Sequence, residues 1–110
     1  MTDKNLISEP FNYAKMIDYQ EGAIVSRTII EKDTGTVTLF AFDAGQKLST
    51  HSTPYEGLVQ IVEGTGVIII NGKKFILDAP SSIIMPADKP HSVEAEERFK
   101  MVLIMIKAKN

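Results

Sequence analysis

The chain has 110 residues, enough for one domain with a real core but not for a second lobe. Apolar residues make up 44% and charged residues 24%, and 12 Lys and Arg against 14 Asp and Glu leave a net charge of −2 with no basic stripe, which excludes the electrostatic footprint of a nucleic-acid binder. The lack of cysteine excludes a disulfide frame, a thiolate metal site and a cysteine nucleophile. No signal-peptide stretch opens the sequence, and its longest apolar run, residues 101–106, is far too short to span a bilayer, so the expectation is a cytoplasmic protein without a membrane partner.

In chain order, residues 1–22 read as a segment that packs on the main domain. Tyr13, Met16 and Ile17 stand at helical spacing, and Asn12, just after Pro10, is placed to cap a short helix. From Ala23 the pattern changes to β-rich runs cut by turn residues, which makes residues 23–110 one domain. Strands are predicted over residues 24–30, 36–42, 58–62, 67–70, 73–77, 82–85, 91–93 and 99–107. Gly64 and Gly66 close the third of these, and Asn71-Gly72 marks a tight hairpin between the fourth and fifth. Short strands at this spacing predict an all-β sandwich or closed barrel. Residues 67–70 and 101–106 are apolar without alternation, so both faces of those strands need cover. The barrel interior covers one. A second subunit, which predicts a homodimer, or the N-terminal segment covers the other.

The only two histidines, His51 and His91, sit in two segments, residues 45–64 and 80–95, separated by 15 residues that hold the hairpin. Gly45, His51 and Gly64 in the first, and Pro86 and His91 in the second, resemble the paired signature motifs of the cupin superfamily. The likeness covers roughly residues 35–108 and is similar in particular to small single-domain cupins of bacteria and archaea. It implies a double-stranded β-helix, or jelly-roll barrel, commonly dimeric, with His51 and His91 converging on one internal site. Thr53 stands where the family pattern carries a second histidine, and Gly57 where it carries the metal-binding glutamate. Pro80, Asp88 and Ala95 replace two glycines and an asparagine.

A catalytic first-row metal asks for three protein ligands and an open position, and His51 with His91 supplies two. Glu56 is the nearest carboxylate, but strand alternation turns it away from the face of position 57 unless a bulge intervenes, and Gln60 falls on the outer face with it. The predicted wall of the site is His51, Thr53, Tyr55, Gly57, Val59, Met85 and His91, with Tyr55 either at the mouth or an ordinary loop aromatic. Phe40, Phe42, Phe75 and Phe99, with Met85, Met101 and Met105, read as core filling. Arg27 reads as a solvated arginine rather than an inward anion clamp. The expected function is a barrel that binds a small-molecule ligand without a complete metal site and without a tightly bound cofactor. The alternative is an enzyme in which His51 and His91 hold Fe, Ni, Mn or Zn as an oxygenase, or act as acid and base in an isomerase.

Overall fold

A computed structural model describes residues 1–108. Among these residues eight antiparallel strands carry the fold: β1 (Ile24–Lys32), β2 (Gly35–Phe42), β3 (Lys47–His51), β4 (Tyr55–Ile70), β5 (Lys73–Asp78), β6 (Ser81–Met85), β7 (His91–Glu94) and β8 (Phe99–Lys107). The hydrogen-bonded path runs β1-β2-β8-β4-β7-β3, with β5 and β6 also pairing with β4. This is the curled, two-layered jelly roll that the motif likeness implies. Among the described residues no helix is long and apolar enough to cross a membrane.

β4 organises the molecule. Its first half pairs with β6 and β8, aligning Gly57 with Met85 on one side and Met105 on the other. Its second half pairs with β5 and β7, aligning Ile70 with Lys73 and His91. One strand therefore belongs to both layers. The two separate runs predicted over 58–62 and 67–70 are corrected to a single 16-residue strand. Gly64 and Gly66, read as turn residues, bend this strand without ending it. Its register against β8 slips between Ile61 and Glu63, and Gly64 holds φ +76°, where a Cβ would lie 2.5 Å from the Arg98 carbonyl oxygen.

β3 is the other departure. Its Lys-Leu-Ser-Thr-His sequence is mostly exposed and carries no apolar alternation, and its pairing with β7 supplies the order. The Asn71-Gly72 hairpin forms as expected, with φ of 50° and 83°.

The core sits between the layers. Phe42 and Phe99 stack at 4.7 Å with ring planes 10° apart, surrounded by Val59, Ile61, Ile68, Val93 and Met101. Phe40 packs half-buried on this cluster. Phe75 is a correction: it lies half-buried on β5 outside the core, with the Lys73 ammonium 5.2 Å from its ring centroid.

The N-terminal segment forms single 3-10 turns at Lys4–Leu6 and Tyr13–Lys15 in place of the expected helix. Asn12 does cap the second turn, accepting from the Ala14 N–H at 2.9 Å. Ile17, Tyr13, Met16 and Tyr19 lie on the outer face of the sheet over Leu39, Ala41 and Val102. Polar ties hold the segment there. Arg27 pairs with Asp3 at 2.8 Å and donates to the Met16 carbonyl, so it faces the segment and not the barrel interior. The buried Lys100 donates to the Ala14 carbonyl at 2.6 Å, and the Tyr19 hydroxyl donates to Glu63 at 2.6 Å. This cover is partial: Ile84 and Ile106, on the same outer face, remain 58% and 60% exposed.

Candidate functional site

β3 ends at His51 and β7 begins at His91, and the two are direct register partners. Their rings meet edge to face with centroids 4.4 Å apart. Two backbone ties fix the loops that deliver them. The Asp88 N–H donates to the Thr53 carbonyl at 2.7 Å, and the Asn71 N–H donates to the Pro90 carbonyl at 2.7 Å.

Each imidazole is also oriented by its own chain. His51 Nδ1 lies 2.8 Å from the Ser49 carbonyl oxygen, and His91 Nδ1 lies 3.2 Å from that of Lys89. A carbonyl oxygen only accepts, so the proton of each neutral ring belongs on Nδ1 and the lone pair on Nε2. His91 is 6% exposed, whereas His51 stands at the exposed rim. Burial, and then the neighbouring His51, hold His91 below the ordinary histidine value, against the opposing hydrogen bond to Lys89. Nε2 of His91 is thus kept as an acceptor.

The rings border a cavity of about 40 Å³ between the layers. β3 and β7 contribute Leu48, His51, His91 and Val93. Tyr55 and Gly57 come from β4, Met85 from β6, and Met101, Leu103 and Met105 from β8, while Thr53 sits in the loop between β3 and β4. Six of the seven wall residues expected from the sequence line this cavity. Val59, the seventh, is fully buried in the core one alternation deeper, flanked by Ile83 and Leu103. Glu56 is exposed opposite Ile106 and Gln60 falls on the same outer face, as strand alternation requires. The Thr53 hydroxyl is engaged by Tyr55 at 3.3 Å.

Leu48, Val93, Met101, Leu103 and Met105 complete the wall and were not expected there. Positions 101, 103 and 105 share one parity of β8, and that was the available signal. An unbroken apolar run hid it.

Residues 38–107 match the family model described as a cupin domain. The chain belongs to the cupin family. A cupin 2 conserved barrel domain protein from Leptotrichia buccalis is 41% identical, with a TM-score of 0.88 over 90% of this cupin and 48% of that chain. A conserved protein of unknown function from Streptococcus pyogenes is 28% identical, with a TM-score of 0.87 over 92% of this chain and 89% of the other. A cupin superfamily protein from Desulfitobacterium hafniense is 27% identical, with a TM-score of 0.86 over 90% and 91%. No curated protein matches the sequence.

The metal ligand set of the cupin motif does not fit these residues. Among the described residues no three or more of His, Cys, Asp and Glu gather where an ion could sit. The glutamate position itself is filled differently. A Cβ built on Gly57 would lie 3.1 Å from Met85 Cε and 3.5 Å from Leu103 Cδ1, so the methionine methyl occupies the space a longer side chain would need. An oxygen-ligated iron, manganese, nickel or zinc centre has two imidazoles here and no carboxylate.

Proposed function

We propose that this cupin is a small-molecule-binding barrel that works without a complete hard-metal site. The observation that carries the reading is that two imidazoles, in contact with each other and each with Nδ1 held by a backbone carbonyl, border one largely apolar cavity. A ligand with a hydrogen-bond donor satisfies Nε2 of His91, and its short apolar body lies against Met85, Leu103 and Val93. Volume narrows the class. A cavity of about 150 Å³ binds benzene, and this cavity offers about 40 Å³. Only a few atoms enter, and any remainder of the ligand stays at the mouth beside Thr53 and Tyr55. The uncovered apolar strip at Ile84 and Ile106 supports a homodimer, since burying such a face contributes roughly 25 cal/mol per Å².

The test is a titration of the purified protein with ethanol, isobutanol and phenol, followed by NMR at the histidine Hε1 and methionine methyl resonances. Saturable shifts at His51, His91 and Met85 are expected for the small alcohols. They should weaken by about threefold or more in His91→Phe, the worth of one lost hydrogen bond. Shifts that are absent, or spread over the surface without saturation, would overturn the reading. Light scattering of the same sample should report twice the chain mass, and a monomer over a wide concentration range would remove the dimer from it.

A further inference from the structure

The position where the cupin motif carries its glutamate is glycine, and the residues in register on either side of that glycine, in β6 and in β8, are both methionine. Met85, Gly57 and Met105 form one row across the sheet, and all three line the cavity that His51 and His91 border from the opposite layer. A hard carboxylate has gone from the row and two soft thioethers stand in it. We propose that Nε2 of His51 and His91, with the thioether sulfurs of Met85 and Met105, form a binding site for a soft monovalent cation, copper(I).

Four features of the site support this choice of ion. Thioether sulfur is a poor ligand for iron, manganese or zinc in competition with water, but a good one for copper(I), and imidazole serves both. The ligands are neutral, which suits an ion of single charge in an apolar cavity, where a divalent ion would lack compensation. Each imidazole directs Nδ1 at a backbone carbonyl, the outer contact that holds a metal-binding ring in place and leaves Nε2 to ligate. The cavity, at about 40 Å³, takes an ion and little more. The inference rests on the cavity being the binding site of the proposed function and adds the identity of one occupant.

The test is anaerobic titration of the full-length protein with copper(I) against a chromogenic copper(I) chelator, with silver(I) as the redox-inert probe for NMR. One equivalent per chain is expected, with shifts in the methyl resonances of Met85 and Met105 and in Hε1 of both histidines. Loss of an outer partner already lowers metal affinity roughly 10–100-fold, so His91→Ala should weaken copper(I) by about 100-fold or more. The double variant Met85→Leu/Met105→Leu keeps volume and apolar character, and it should weaken copper(I) by about tenfold or more.

No stoichiometric copper(I) binding, or equal binding in the double methionine variant, overturns the inference. Silver(I) shifts in the wild-type protein keep the test decisive even if a variant folds poorly: their absence from the Met85 and Met105 methyls overturns it as well. If the alcohols still bind at His91 when copper(I) does not, the soft-ion site falls and the small-molecule reading stands. If neither binds, both fall.

Discussion

β4 carries two buried glycines that face the barrel interior, and they meet opposite conditions. At Gly66 a Cβ would stand 2.8 Å from Cε2 and 3.0 Å from Cδ2 of Phe99, a ring locked in a stack with Phe42. At Gly57 a Cβ would meet the free end of a methionine at 3.1 Å. The first glycine is required because a rigid aromatic leans on the backbone. The second borders open volume. The two ends of the barrel differ in the same way: the Phe42–Phe99 end is packed solid, while the His51–His91 end is lined by flexible thioethers and left unfilled. Packing that fixes the fold and space that admits a ligand are thus segregated along one strand.

The largest effect is expected where that comparison is sharpest. Gly66→Ala forces Phe99 off its stack, and overpacking of this kind costs about 1–3 kcal/mol. Urea unfolding would read it as a lowered midpoint at unchanged slope. A midpoint equal to wild type would mean that the packed end yields as readily as the open one.

A smaller effect concerns the clamp at the packed end. Asp43 follows Phe42 directly, accepts from the Gly22 N–H at 2.6 Å and accepts from Arg98 Nε at 2.7 Å. The hydrogen bond from Arg98, then that from Gly22, hold its carboxyl below the ordinary carboxylate range. Because the folded value is depressed, the carboxylate's contribution is complete above the unfolded value near ~3.9 and fades as pH falls through the folded one. Asp43→Asn should therefore be less stable than wild type at pH 7, and the gap should narrow towards pH 3. A gap that stays constant or widens in acid would show that the clamp does not depend on the ionised carboxylate.

How much of this was legible in the sequence depended on what each residue needed from its neighbours. The β-branched runs, the Asn71-Gly72 turn and the spacing of His51 and His91 are local signals, and they located the fold and the paired histidines. β3 was invisible because its polar residues are ordered only by the pairing with β7, a contact 40 or more positions away in sequence. Gly64 and Gly66 were misread because a glycine demanded by a bulge against a distant carbonyl, or by a distant ring, looks, in one dimension, like a glycine demanded by a turn. Met101 is core, as its apolar run implies, but the run did not show that Met101 and Met105 also face a cavity, because apolar character identifies a buried face without saying whether that face is filled. The cavity arises from what the side chains opposite fail to reach, and no single strand encodes that.

The smallest stability effect is expected at Gly57, and it is the most informative. Two terms oppose each other in Gly57→Ala. Removing a glycine from a strand interior gains roughly 0.5–1 kcal/mol of backbone entropy, and the new methyl must displace Met85 Cε by a few tenths of an ångström. A methionine end rotates at little cost where there is space beside it, and the cavity supplies that space. The net change in unfolding free energy should lie within about 1 kcal/mol of zero, while the Met85 methyl resonance moves. If Gly57→Ala proved as costly as Gly66→Ala, the thioether would be wedged and not free. Both glycines would then answer to the same tight packing, and the open end of the barrel would lose the room on which ligand and ion binding both depend.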